Sequence, residues 1–169
     1  MVKVVPIAAV EAEAVEALLD RAFEPGRRAR TAYAIRAGTE PVPALSFAAL
    51  DGGVLVGAIL CWPVCLTGAD GRVWPLVMVG PVAVDPARQN EGLGRRLMAC
   101  ALAAAEGTGQ DAAMTLIGDP EFYDRFGFTA ERTGGWAVPG PVERRRLLAR
   151  GRDVPAVAGT LGPRVTAAA

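Results

Sequence analysis

Apolar positions along this chain change spacing in a regular way, and the spacing predicts the elements. Residues 2–7 form a short bounded apolar run that reads as a strand, with Pro6 at an edge or at the strand end. Val10, Ala14, Val15, Leu18, Leu19 and Ala22 then recur at intervals that place them on one face of a helix over 10–23. Pro25-Gly26 breaks that helix. A second one over 27–37 carries Ala32, Tyr33 and Ile35 and stops at Gly38. Strands are predicted over 46–50, 54–66 and 73–84, joined by turns at Asp51-Gly52-Gly53 and at Gly68-Ala-Asp-Gly71. Pro63, inside the second of these strands, is expected to mark a bulge or bend. Leu93, Leu97, Cys100, Ala101 and Ala104 restore the helical period over 93–106. Residues 112–117 read as a strand, which the crossover should lay parallel to the one before it. Beyond it come a short helix over 121–125, strands over 128–131 and 136–138, and a small helix near 142–149. The remainder reads as irregular chain or a late edge strand, with Ala167 to Ala169 fraying. An antiparallel meander followed by one βαβ unit predicts an α/β (α+β) fold, a mixed sheet with helices on both faces.

Composition narrows the function classes. A length of 169 residues suits one domain and one core, and no segment is long enough in linker residues to divide it. The chain is 51% apolar and 21% charged with zero formal net charge, which describes a foldable chain and argues against nucleic acid as a partner. No apolar run is long enough to span a bilayer, and the first residues lack the pattern of a signal peptide. The three cysteines, Cys61, Cys65 and Cys100, lack metal spacing and there is no histidine, so no metal site is expected. Reduced thiols and a cytoplasmic location follow as expectations.

The chemistry concentrates in Gly80-Pro-Val-Ala-Val-Asp-Pro-Ala-Arg-Gln-Asn-Glu-Gly-Leu-Gly-Arg-Arg-Leu-Met98, which reads as strand, turn and helix. Asp85-Pro86 ends the strand. Gly92 and Gly94 take side chains away from the helix start, so a ligand can approach the backbone there. The first helical amides lack intrahelical partners and carry about half a positive charge. That combination suits a phosphate, and Arg88, Arg95 and Arg96 add positive charge nearby. The pattern G-x-x-x-x-G-K-[ST] is absent, and Leu97 stands where a third glycine would complete G-x-G-x-x-G.

What remains, Gln89-Asn90-Glu91-Gly92-Leu93-Gly94 after an apolar strand, resembles the acyl-CoA pyrophosphate loop of the GNAT superfamily of N-acetyltransferases, whose pattern is Gln/Arg-x-x-Gly-x-Gly/Ala. A second segment, Glu121-Phe-Tyr-Asp-Arg-Phe-Gly-Phe128, resembles the Phe-Tyr-x-x-x-Gly-Phe helix of the same superfamily, whose tyrosine often acts as general acid. Ile117-Gly118-Asp119-Pro120 and Gly80-Pro81 resemble the YhbS-like branch, and the likeness runs from the first helix to about Pro141.

The resemblance implies a GNAT-like fold and a single N-acetyltransferase domain over 1–169, with a core of about 1–141 and a C-terminal extension over 142–169. It implies acetyl-CoA as cosubstrate, held by Gln89, Asn90, Glu91, Gly92, Leu93, Gly94 and Arg95, with the pantetheine arm paired to backbone at Val82, Ala83 and Val84. Tyr123 is the implied acid for the leaving thiolate. A phenol with pKa about 10 is protonated at neutral pH and can serve a thiolate whose thiol pKa is about 8.5. No base is assigned. Asp119 and Glu121 fit a cap and a first-turn charge, and no acyl-cysteine is invoked.

Arg27-Arg28-Ala-Arg30 and Glu143-Arg-Arg-Arg146 read as solvated helix faces, the first with a contact to the acceptor as its alternative, and Cys61-Trp62-Pro63 reads as core, with lining of the acceptor cleft as its alternative. The expected reaction moves an acetyl group to a primary amine, on a small molecule or peptide, by direct attack in a ternary complex. A homodimer is compatible with this reading, and neither nucleic acid nor membrane is expected as a partner. An acyl-CoA-binding sensor without catalysis, a transferase for longer acyl groups or acyl carrier protein, and a protein-binding module without nucleotide stay open.

Overall fold

The computed structural model describes residues 1–165. In chain order the strands and α-helices are β1 (Val2–Pro6), α1 (Ala12–Ala22), α2 (Thr31–Ile35), β2 (Phe47–Asp51), β3 (Val54–Gly68), β4 (Val73–Val84), α3 (Leu93–Thr108), β5 (Met114–Ile117), α4 (Pro120–Tyr123), β6 (Trp136–Ala137), β7 (Leu147–Arg150) and β8 (Gly159–Pro163). They form a mixed sheet of order β1-β2-β3-β4-β5-β7, with β8 on β3 and β6. The chain makes two compact units. One comprises Met1–Arg28, Pro41–Cys61 and Val79–Thr108, and the other Ala29–Glu40, Trp62–Met78 and the chain from Gly109 on.

In the first unit β1 and β2 pair antiparallel, from Val2 opposite Asp51 to Pro6 opposite Phe47. β2 and β3 turn through Gly52 and Gly53, both at positive φ (57° and 82°), where glycine carries no steric penalty. α1 buries Val15, Leu18 and Leu19, and α3 buries Leu93, Leu97, Met98, Ala101, Leu102 and Ala105. α3 packs on β2 and the turn at Pro43–Leu45. Gly57 governs how closely α3 sits. A Cβ there would meet Leu97 Cδ1 at 3.1 Å and the Ala83 carbonyl oxygen at 3.2 Å, so its hydrogen lets α3 and β4 approach.

The second unit has its own core, in which Ile35, Val64, Leu66, Leu76, Met78, Trp136 and Leu147 cluster. β4 and β5 pair parallel, Val77 with Met114 and Met78 with Thr115, as the crossover requires. Buried hydroxyls are satisfied: Thr115 Oγ1 donates to the Leu148 carbonyl at 2.8 Å and Thr133 Oγ1 to that of Leu147 at 2.7 Å.

Several elements depart from the sequence-based expectation. Residues 142–149 are not a helix. One 3-10 turn, Arg144–Arg146, precedes β7, which pairs antiparallel with β5. Leu147, Leu148 and Ala149 are consecutively buried, as in a strand covered on both faces and unlike a surface helix. The predicted strand over 128–131 reduces to a single bridge between Thr129 and Ala149. β3 runs unbroken through Pro63. A register irregularity lies between Ala49 and Leu50 of β2, whose partners pass from Gly57 to Leu55. Pro63 stands just beyond the last β8 pair, Val64 with Pro163, where its missing N–H interrupts no β8 bond. The predicted fraying of Ala167 to Ala169 lies outside the described residues.

The predicted helix over 27–37 divides into a 3-10 turn, Arg27–Ala29, and the short α2. Arg27 is not on a solvated face. Its side chain is 2% exposed, donating to Glu16 Oε2 at 2.7 Å and Asp20 Oδ1 at 3.0 Å. Those carboxylates are 52% and 62% exposed. Energetics at this site should therefore be asymmetric. A Glu16→Gln, Asp20→Asn double variant removes these two counter-charges from a desolvated guanidinium and is expected to cost about 3–5 kcal/mol. Arg27→Met removes the charge, lets both carboxylates rehydrate, and is expected to cost under about 1.5 kcal/mol. Chemical denaturation of the two variants checks the order; equal losses would refute it.

Candidate functional site

The first unit carries the strand–turn–helix segment. Asp85 ends β4, its amide donating to the Val56 carbonyl at 2.9 Å. Its carboxylate accepts from the Ala87 amide at 2.9 Å and caps the 3-10 turn Pro86–Arg88. Asn90 and Gly92 then take positive φ, 69° and 77°. The first helical bond runs from the Arg96 amide to the Gly92 carbonyl at 3.1 Å. The amides of Leu93, Gly94 and Arg95 thus lack an intrahelical acceptor. Leu93 is buried and anchors the turn, while Gln89, Asn90, Glu91 and Gly92 are exposed.

Gly94 is the informative position. Its φ is not positive, and a Cβ there would meet nothing nearer than Val82 Cγ1 and Val84 Cγ2, both at 4.0 Å. Glycine inside a helix costs about 0.5–1 kcal/mol relative to alanine. Folding alone therefore gives no reason for it, and its absent side chain leaves space between the helix start and the half-buried Val82 and Val84.

The charge around this turn differs from the expectation. Arg88 is not a free cation. Its Nε and Nη2 donate to Glu91 at 2.8 and 2.9 Å and its Nη1 to Asp51 at 2.9 Å. It is a strut that holds the turn against the end of β2. Glu91, hydrogen-bonded to Arg88, has its carboxyl held below the usual value. Arg96 donates to the Val2 carbonyl at 3.3 Å. Arg95, like Arg96, is exposed at the helix start.

The second unit carries Tyr123. Asp119 caps α4, accepting the Glu121 amide at 3.2 Å on its carboxylate, and Gly127 at φ 84° closes the following 3-10 turn. The tyrosine ring packs edge-on against Phe122 and Phe128, centroids 4.9 and 6.4 Å away. Gly118 makes room for it, since a Cβ there would lie 2.4 Å from Tyr123 Cε2. Burial pushes the phenol above its usual pKa, while the charge of Arg146 lowers it and Asp119 raises it further. Among the described residues no hydrogen bond engages the hydroxyl. Asp119 is held below the usual carboxyl value by hydrogen bonding at Glu121, as befits an ionised cap. Glu121 itself pairs with Arg145 at the surface.

Other residues singled out by sequence have structural places. Burial pushes the Cys61 thiol up to about 12, which makes it a poor nucleophile. Trp62 is covered by Arg36, whose guanidinium carbon lies 4.0 Å from its ring centroid and 4.1 Å from that of Tyr33. No group of three or more metal-ligating side chains occurs among the described residues. Sequence reasoning missed a groove of about 600 Å³ in the second unit, lined by Arg30, Thr31, Ile117, Val142, Glu143 and Arg146 among others. The only signal for it was the arginine run at 144–146, which has no periodicity.

Comparisons with known proteins bear on the family and the fold. Residues 3–130 match the family model described as an acetyltransferase (GNAT) domain. The chain is 34% identical over 120 residues to the uncharacterised N-acetyltransferase YhbS of Escherichia coli strain K12, covering 70% of this chain and 68% of that protein. The crystal structure of YhbS from Escherichia coli in complex with CoA superposes with a TM-score of 0.71 and 26% identity, over 97% of this chain and 89% of the other. A GNAT family acetyltransferase from Brucella melitensis, solved in complex with acetyl-CoA, shares the fold, with TM-score 0.64 and 23% identity over 98% of this chain and 97% of the other.

Proposed function

This chain belongs to the GNAT acetyltransferases, and from that premise we propose that it transfers an acetyl group from acetyl-CoA to a primary amine by direct attack in a ternary complex. The amides of Leu93, Gly94 and Arg95, presented by the turn from Gln89 through Gly92, bind the pyrophosphate. Several fixed donors and the helix dipole act together there. The backbone of Val82, Ala83 and Val84 pairs with the pantetheine arm as an added strand would. Tyr123 shares its proton with the departing thiolate. Its raised pKa keeps the phenol protonated through neutral pH and beyond the ordinary phenol value. The Gly94 observation carries this reading: a glycine that the protein's own packing does not need, beside unpartnered amides and the edge of β4.

Catalysis is then chiefly positioning of amine and thioester. Among the described residues no helix is long and apolar enough to cross a membrane. The direct experiment follows free thiol released from acetyl-CoA across a panel of amines. The expected result is thiol release that depends on the amine and saturates in both substrates. Tight coenzyme A binding without release for any amine would make the chain a sensor instead.

A further inference from the structure

We propose that the acceptor is a primary amine bearing a carboxylate, and that Arg146 is the residue that binds this carboxylate; the inference rests on the acetyl-transfer reading above. Three arginines stand in succession at 144–146, and their fates differ. Arg144 Nη2 donates to the carbonyls of Thr133 and Gly134, at 3.1 and 2.9 Å. Arg145 pairs with Glu121. Arg146 is half-buried and lines the groove, and its guanidinium has no hydrogen bond or ion pair among the described residues.

The groove is built to stay open. Thr31 Oγ1 donates to the Pro141 carbonyl at 2.6 Å and ties two of the lining segments together. Gly140 allows that approach, since a Cβ there would fall 2.5 Å from Thr31 Oγ1. The Arg146 carbonyl accepts from the Gly118 amide at 3.0 Å, which fixes the backbone of the 3-10 turn to the end of β5. A volume of about 600 Å³ suits a small molecule or a peptide end.

The lining selects the chemistry. A guanidinium presents a planar fork that matches a carboxylate in two parallel hydrogen bonds. Beside the apolar Ile117 and Val142 such a pair is stronger than in open water. Glu143 lines the same groove and gives it both signs of charge, which fits an amino acid or peptide terminus better than a simple anion or polyamine. The Arg146 charge also reaches Tyr123, so the anion-binding residue and the proposed acid share one electrostatic neighbourhood.

The test is a set of matched pairs, each standard amino acid against its C-terminal amide, in the thiol-release assay. The acid form of the best pair is expected to exceed its amide at least about tenfold in kcat/KM. Arg146→Gln should raise KM for the acid at least about tenfold and KM for the amide less than about threefold, with any change in kcat through Tyr123 common to both forms, and Arg146→Lys should recover part of the loss in KM. Amides that serve equally well, or an Arg146→Gln rise in KM shared equally by both forms, would overturn the proposal. If another amine releases thiol and no pair does, this proposal is overturned and the transfer reading stands; if no amine releases thiol, the transfer reading fails, and titration of the same pairs into the coenzyme A complex decides this one alone. Acid-selective binding lost in Arg146→Gln sustains it, and the absence of acid-selective binding overturns it.

Discussion

Gly92→Glu is expected to fold and to lose about 100-fold or more in affinity for coenzyme A, because a carboxylate would occupy the place of the diphosphate. Gly92 lies at φ 77°, so any side chain there carries backbone strain of about 1–2 kcal/mol. Apart from its chain neighbours, no residue lies within 4 Å of its Cβ position, however, and the substitution meets no packing obstacle. The variant therefore separates binding from folding. Calorimetric titration with coenzyme A measures the first and thermal melting the second. A folded Gly92→Glu protein that binds within threefold of the parent would refute the assignment of this turn to the pyrophosphate.

Tyr123→Phe is expected to keep acetyl-CoA binding and lower kcat by about 100-fold, the smaller end of the range for a positioned acid. The ring packing against Phe122 and Phe128 survives the change, and only the hydroxyl is lost. Gly118→Ala should reproduce much of this loss with the hydroxyl still in the sequence, since its Cβ would stand 2.4 Å from the ring and displace it. Steady-state kinetics on both variants, with melting to confirm the fold, decides the role. Unchanged kcat in a folded Tyr123→Phe protein would remove the phenol from the mechanism. Because burial dominates and raises its pKa, the acid-dependent rate should decline only above the ordinary phenol value, and Tyr123→Phe should lack that decline.

The parts of this protein that were legible in its sequence are those fixed by local pattern. β4, the glycine turn and α3 follow from an apolar run, Asp85-Pro86 and a clean helical repeat, and the structure starts α3 at the expected Leu93. Other features depend on partners far along the chain. Leu147 to Ala149 follow three arginines in a stretch that passes for a helix, and pairing with β5 makes it a strand. Arg27 looks like a surface charge until Glu16 and Asp20 on α1 are seen to claim it. Arg88 looks like a phosphate ligand, yet Glu91 three residues on and Asp51 on β2 neutralise it. The groove around Arg146 joins α2, β5 and residues after Pro141, a conjunction that no local window contains.

The central claim is that main-chain amides at the start of α3 hold the diphosphate of acetyl-CoA. Amide proton and nitrogen shifts followed by NMR as coenzyme A is titrated into the protein test it most directly. The account predicts that the largest changes fall on Leu93, Gly94 and Arg95 and are lost in Gly92→Glu. Saturation with coenzyme A that leaves those three amides unmoved would contradict it.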